Sequence, residues 1–193
     1  MRFWCVPLTL ALAALLAAPA FGQDDDYDYS GESDKLELYG LAQGAFVHSF
    51  QDTSLPGGGS FNDGNGFEAM AGFGAGKYFA FLLSWEFQTE SDFDTHYIPF
   101  NLRMYSPPLL EDRLKLYGQA SIGLFFSRLH NEFNNPQTDN ERGSAVRAGG
   151  GVEIGITDDI SGVLYGNYLW GLGSTDDYEY ATLGGGLVYR WDF

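Results

Sequence analysis

The chain has 193 residues, of which 45% are hydrophobic and 17% aromatic, and it carries a formal net charge of −16. The length fits one domain, and the hydrophobic content excludes a disordered chain. The chain has only ten Lys and Arg residues, which argues against nucleic-acid binding, because binding phosphates needs clustered basic side chains. The 26 glycines and the many aromatic residues favour β structure.

Residues 1–22 have the layout of a secretory signal peptide. Arg2 precedes an apolar stretch, and small residues follow, with a plausible cut after Ala20 or Gly22. The apolar stretch is shorter than the roughly 20 residues of a membrane-spanning helix, so export is favoured over anchoring. Cleavage also removes Cys5, the only cysteine, which excludes disulfides and thiol chemistry in the mature chain.

Residues 23–35 are rich in Asp and Glu and are predicted to form a solvated N-terminal tail. A metal-binding role for these carboxylates is the alternative, but the sequence around them shows no turn geometry that would gather them. The prediction is therefore an acidic tail without a metal site.

From residue 36 onward, apolar residues alternate with small or polar ones in segments of about ten residues, which is the period of a β-strand. Eight strands are predicted, at 36–50, 66–76, 79–89, 95–105, 114–128, 144–156, 160–170 and 178–193. Gly, Pro, Asn and Asp fill the connections between them, as turns require. Residues 36–193 are therefore predicted to be one all-β domain.

The alternation does not by itself show which face of the strands, the apolar or the polar one, is exposed to water. Phe81, Leu83 and Trp85 share one face of the third segment, and Ser84 and Glu86 share the other. The polar faces hold few charges and many glycines, which is too sparse for a hydrated surface but suits a narrow barrel interior. The apolar faces are therefore predicted to contact lipid. In lipid a free sheet edge is not tolerated, so the strands should close into an eight-stranded antiparallel up-and-down transmembrane β-barrel.

The assignment of the apolar face to lipid and the polar face to the lumen predicts the position of two groups of side chains. Tyrosines and tryptophans near the strand ends are predicted to form interfacial girdles. Their members are Tyr39, Tyr78, Tyr105, Tyr117, Trp170, Tyr178, Tyr189 and Trp191.

The predicted lumen receives the charged residues Glu37, Glu68, Glu86, Arg103, Arg147, Glu153 and Arg190. Buried charges persist only when paired, so these seven are predicted to form an ionic lattice that plugs the barrel. A gated ion or proton path is the alternative.

Histidines and serines are the remaining candidates for chemistry. Acyl transfer needs a Ser, a His base and an acidic group close in space. His48, His96 and His130 lie near the loop ends of their strands, with Ser49, Ser91 and Ser127 nearby. Such proximity is common in Ser-rich loops, so rim histidines in solvent are favoured, and no catalytic residue, cofactor or metal site is predicted. The acidic loops could bind divalent cations or present an adhesive surface, although hydration of the loops is favoured.

Three segments carry a resemblance to a known family: AGFGAGKYFAFLLSWEFQ, RLKLYGQASIGLFFSR and GGGLVYRWDF. On these the chain, over residues 36–193, resembles the small OmpA-like and OmpX-like outer-membrane barrels of Gram-negative bacteria, often called porin family proteins. The alternating Tyr189, Trp191 and Phe193 resemble the assembly signal that the outer-membrane insertion machinery reads. The resemblance implies periplasmic termini, periplasmic turns near residues 77, 109 and 158, and four extracellular loops.

The function predicted from these observations is that of a non-enzymatic integral outer-membrane protein with a structural or surface-interaction role. Its surroundings would be outer-membrane lipid and lipopolysaccharide, and the sequence names no extracellular partner. A narrow channel or a carrier of a small hydrophobic solute is the alternative, and a lipid A-modifying enzyme ranks third.

Overall fold

The computed structural model describes residues 38–50, 53–54, 60–61, 63–89, 93–107, 109–110, 113–129 and 140–193. The predicted signal peptide (1–22), the acidic tail (23–35), Glu37 and His130 lie outside the described residues. The long strands are β1 (Leu38–Phe50), β4 (Gly64–Ala75), β5 (Phe79–Thr89), β6 (Phe93–Tyr105), β7 (Leu114–Leu129), β8 (Asn140–Gly155), β9 (Ile160–Leu172) and β10 (Glu179–Asp192). Two short strands, β2 (Thr53–Ser54) and β3 (Ser60–Phe61), pair with each other in one connection.

The long strands form one closed antiparallel barrel, in the order β1-β10-β9-β8-β7-β6-β5-β4. Closure is made by β1, which pairs with β4 on one side and with β10 on the other, from Tyr39↔Asp192 to Phe50↔Ala181. The predicted eight-stranded up-and-down barrel is confirmed. Within the described ranges no helix is long and apolar enough to cross a membrane.

The connections alternate between the two ends of the barrel. Strands β4, β6, β8 and β10 finish at one end, called here the turn end, where the described residues 76–78, 106–107, 109–110, 113 and 156–159 lie. Strands β1, β5, β7 and β9 finish at the opposite end, called here the loop end. Gly76 takes a positive φ of 61° in the first turn, a conformation that glycine adopts without steric cost. β8 begins at Asn140 rather than at the predicted residue 144, because its ladder with β7 continues to Arg128↔Asn140. Charged residues there hide the alternation that marks the rest of the strand.

Burial alternates residue by residue along the strands and separates an apolar outside from a mixed inside. Large apolar side chains are exposed on the outer face, including Phe46, Leu83 and Ile122. Glu86 and Arg147 are among the charged side chains that are buried inside. The charged groups are thus withdrawn from the surface, and the apolar ones cover it, which is the reverse of a soluble barrel.

The predicted aromatic girdle is wrong for half of its members. Tyr105, Tyr117 and Tyr178 are buried in the lumen, and Tyr39 packs against the buried cluster that contains Tyr105 and Tyr117. Their position near a strand end suggested a girdle, but they share the phase of inward neighbours, which decides the face. Of the other members, Tyr78, Tyr189 and Trp191 are exposed, and Trp170 is half-buried beside Tyr168, with ring centroids 4.6 Å apart.

Candidate functional site: the barrel lumen

The loop end of the lumen is covered by a cluster of buried side chains, called here the aromatic cap. Its members are Tyr97, Phe125, Ala145, Leu169, Tyr178 and Tyr180. The Phe125 ring lies 5.0 Å from the ring of Tyr178 and 6.5 Å from that of Tyr180. The Tyr97 hydroxyl donates to the Ala145 carbonyl at 3.1 Å. Burial raises the pKa of Tyr178 to about 12, so its phenol stays neutral. The cap joins β6, β7, β8, β9 and β10.

A single 3-10 turn at Gly173–Thr175 covers the edge of β8 beyond the end of β9. The last pair of that ladder is Ser144↔Leu172. The Ser174 hydroxyl donates to the Arg142 carbonyl at 2.8 Å, and the Thr175 hydroxyl donates to the Ser144 carbonyl at 2.9 Å. These side chains occupy backbone acceptors that would otherwise be left open at a sheet edge.

Below the cap, one buried guanidinium holds two carboxylates from other strands. Arg147 on β8 donates to Glu68 Oε1 on β4 at 2.6 Å and pairs through Nη1 with Glu86 on β5. It also donates to Asn101 Oδ1 on β6 at 3.0 Å, and the Tyr165 hydroxyl on β9 donates to Glu68 Oε2 at 2.6 Å. These five residues are called here the Arg147 network. They connect opposite walls of the barrel through charge-assisted hydrogen bonds.

Glycines on the lumen face make room for these large side chains. An added Cβ at Gly184 on β10 would lie 2.3 Å from Tyr165 Cζ, and one at Gly151 on β8 would lie 2.7 Å from Tyr165 Cβ. The Tyr165 side chain therefore fits because its ladder partners on the two adjacent strands, Gly184 and Gly151, carry no Cβ. Glycines of the polar phase thus lie beside a large inward-facing residue on the adjacent strand.

A second buried guanidinium lies nearer the turn end and has neutral partners. Arg103 Nη2 donates to Gln43 Oε1 at 2.9 Å and to Gln119 Oε1 at 3.1 Å. Its guanidinium carbon lies 4.2 Å from the centroid of the Tyr117 ring, a cation–π contact. Among the described residues no carboxylate forms a salt bridge with Arg103.

At the turn end, Arg190 and Glu153 form a two-point ion pair. Arg190 Nη2 donates to Glu153 Oε2 at 2.6 Å, and Nη1 pairs with Oε1. The structure therefore divides the predicted set of charges into the Arg147 network, the Arg190–Glu153 pair and the separate Arg103, with Glu37 outside the described residues. These groups are completed by Gln43, Asn101, Gln119 and Tyr165, to which the sequence analysis assigned no role. Asn101 and Gln119 are in the polar phase of their segments, whereas the phase around Gln43 and Tyr165 is less regular because buried apolar residues such as Leu41 and Leu169 share it.

Among the described residues, the candidate serines Ser49 and Ser127 are buried inside, whereas His48 and His96 lie on the outer face. Ser49 is buried and accepts from the Gly64 N–H at 3.1 Å, while His48 on the opposite face lies 3.0 Å from Asn65 Oδ1. His96 is also on the outer face, and its Nδ1 accepts from Trp85 Nε1 at 3.3 Å. In the described part of the chain no His, Cys, Asp and Glu side chains form a group that could hold a metal ion.

Comparisons with known proteins rest on structure alone. No protein-family model and no curated protein sequence matches the chain. The N-terminal β-barrel domain of Pseudomonas aeruginosa OprF matches with a TM-score of 0.55 and 13% identity, over 81% of this chain and 98% of that one. Neisserial surface protein A matches with a TM-score of 0.57 and 13% identity, over 80% and 97%. The attachment invasion locus protein Ail of Yersinia pestis matches with a TM-score of 0.54 and 16% identity, over 81% and 100%.

Proposed function

We propose, since the chain has the fold of the small eight-stranded outer-membrane β-barrels, that it is a non-enzymatic integral protein of the outer membrane. In this proposal the barrel is a closed anchor with a structural or surface-interaction role, and the loop end faces outward. The observation that carries it is the stacked filling of the lumen by the aromatic cap, the Arg147 network, the Arg103 layer and the Arg190–Glu153 pair.

The location in the outer membrane is supported by the exposed apolar side chains on the outer face and by the signal-peptide layout of residues 1–22. Outer-membrane lipid and lipopolysaccharide are then the molecules that the outer face contacts. A role without catalysis is supported by the opposite faces of His48 and Ser49, because a serine nucleophile needs its base within hydrogen-bond reach.

A conducting lumen is disfavoured because side chains fill the lumen at more than one level along the barrel. An eight-stranded barrel has an interior just wide enough for side chains, and here the cross-lumen contacts of Arg147 and Arg103 occupy it at two levels. An ion would have to displace a buried, paired guanidinium to pass. We therefore propose that the charged residues close the barrel rather than line a path.

Planar-bilayer recordings of the purified protein test this proposal. We expect no discrete single-channel steps from the wild-type protein or from Leu83→Ala, which changes only an outward-facing side chain. Discrete steps that are present in both proteins and abolished by Glu86→Ala or Arg103→Ala would overturn the closed anchor and favour a narrow channel.

The terminal aromatic residues are proposed to be the signal read by the insertion machinery. Tyr189, Trp191 and Phe193 lie on the outer face, with the Trp191 ring centroid 5.8 Å from that of Tyr189 and 6.3 Å from that of Phe193. We expect Phe193→Ala to lower the folded fraction in the membrane several-fold, because one apolar recognition element is lost. Phe46→Ala is the matched control, since both phenylalanines are 83% exposed. Equal folded fractions for the two variants, measured by gel mobility of unheated samples, would contradict this role.

A further inference from the structure

We propose that Glu68 and Glu86 form a buried proton-binding pair, in which the two carboxyl groups share one proton at neutral pH and carry a single negative charge. The proposal rests on the fold and on the contacts of the Arg147 network, and it does not depend on the proposed function. Its consequence is a barrel whose lumen is held together more strongly in mildly acidic than in mildly alkaline surroundings.

The first step is the register that brings the two acids together. Glu68 on β4 and Glu86 on β5 are direct partners in the antiparallel ladder, and both side chains are buried in the lumen. Directly opposite residues on one face have Cβ atoms about 4.5–5.5 Å apart, and like charges in such a pair repel each other. Glu68 is 0% exposed and Glu86 is 1% exposed, so salt and water screen this repulsion poorly. Two negative charges at this position are therefore costly, and binding of one proton removes one of them.

The second step is the set of donors to the four carboxyl oxygens. Arg147 donates to Glu68 Oε1 at 2.6 Å and, through Nη1, to Glu86 Oε2. The other two oxygens have neutral donors, since the Tyr165 hydroxyl donates to Glu68 Oε2 at 2.6 Å and Gln88 Nε2 donates to Glu86 Oε1. Arg147 is thus the only charged donor to these four oxygens among the described residues. One guanidinium balances one carboxylate, so within this set the second carboxyl group has no countercharge.

The third step concerns the other described groups around the pair, which add no second positive charge. β1 places Ala45 opposite Glu68 in the ladder, and β6 contributes the neutral amide of Asn101, which accepts from Arg147 at 3.0 Å. The hydrogen bonds of Arg103 go to neutral groups and to neither acid. The other titratable side chains that face the pair are phenols, which are uncharged at neutral pH: Tyr97, Tyr117, Tyr165 and Tyr180. The described surroundings therefore hold one positive charge against two carboxyl groups.

The fourth step is the acceptor that a protonated carboxyl group needs. Gln88 Oε1 is buried and has no hydrogen-bond partner among the described residues, while Nε2 of the same amide contacts Glu86 Oε1. Half a turn of this amide about its last side-chain bond exchanges its oxygen and its nitrogen. At the same point Gln88 can therefore donate to an ionised Glu86 or accept from a protonated one. The proton is assigned to Glu86 Oε1, with Glu68 ionised between Arg147 and the Tyr165 hydroxyl.

Infrared spectroscopy of the full barrel, refolded at neutral pH in a detergent without carbonyl groups, detects the proton directly. A protonated carboxyl group has a C=O stretching band that a carboxylate lacks, and we expect this band in the wild-type protein. Glu86→Gln keeps the side-chain shape and should lose the band. Glu153→Gln is the matched control and should keep it, since Glu153 is paired with one guanidinium of its own, that of Arg190. A wild-type spectrum without the band, or a band of unchanged intensity in Glu86→Gln, would overturn the proposal.

The pH dependence of unfolding is a second measurement, in which Glu68→Gln replaces Glu86→Gln if the latter folds poorly. The unfolded chain loses the proton near the ordinary pKa of Glu, about 4.3, whereas the folded pair keeps it at neutral pH. Folding therefore takes up one proton between about pH 5 and about pH 7, and stability falls as the pH rises. Relative to the variant, the unfolding equilibrium constant of the wild type should rise about tenfold per pH unit in this range. Equal pH slopes for the wild type and the variant that folds would overturn the pair.

Discussion

Replacement of Arg147 by methionine is expected to lower the free energy of unfolding by about 3–5 kcal/mol, the cost typical of breaking a buried ion pair from one side. Methionine keeps much of the side-chain length but removes the charge. Glu68 and Glu86 then remain buried without the guanidinium that both now contact. Equilibrium unfolding by urea in lipid vesicles, followed by tryptophan fluorescence, measures the change.

The matched control neutralises the carboxylates as well. Combining Arg147→Met with Glu68→Gln and Glu86→Gln should recover most of the lost stability, because the variant leaves no unpaired charge in the lumen. If the single variant is as stable as wild type, the Arg147 network does not hold the walls together. If the triple variant is as unstable as the single one, packing rather than charge explains the loss.

Ile122→Arg on the outer face is expected to destabilise the barrel by about 2–4 kcal/mol, the cost of an arginine at the midplane of a bilayer. Ile122 lies near the middle of β7 and its side chain points outward. The guanidinium would be placed among acyl chains far from either water layer. The measurement is the same urea titration in lipid vesicles.

Ile156→Arg is the depth control for this variant. Ile156 is 63% exposed and Ile122 is 59% exposed, but Ile156 lies in the connection between β8 and β9 at the turn end. Near the interface the same substitution should cost about 0–1 kcal/mol. Equally small effects at both positions would mean that water, and not lipid, surrounds the outer face.

Strand number, closure and the direction of each face were predictable because they depend on the phase of the sequence. In β5, Leu83 and Glu86 lie on opposite faces in the structure, as their odd spacing requires. The residue at which a strand begins or ends is harder to predict from the sequence than the face of a side chain. β8 begins at Asn140, where charged residues near the rim continue the ladder without the apolar alternation.

Pairing inside the lumen was not predictable, because it depends on strand tilt and on the register of every ladder between two residues. Arg147 meets Glu68 across 79 positions of sequence, and Arg103 meets Gln43 across 60. Charge alone suggested that each arginine would find a carboxylate, and Arg103 instead has neutral amides. Tyr105 and Tyr117 were assigned to a girdle from their place near strand ends, whereas their phase put them inside.

The account depends on an apolar outer face that contacts lipid around a lumen filled with side chains. The most direct test is the gel mobility of the protein in the isolated membrane fraction, compared before and after boiling. A closed barrel that resists detergent should migrate faster before boiling than after it, and the protein should require detergent for extraction. Identical mobility in both samples, with the protein recovered as a monomer from the soluble periplasmic fraction, would contradict the account.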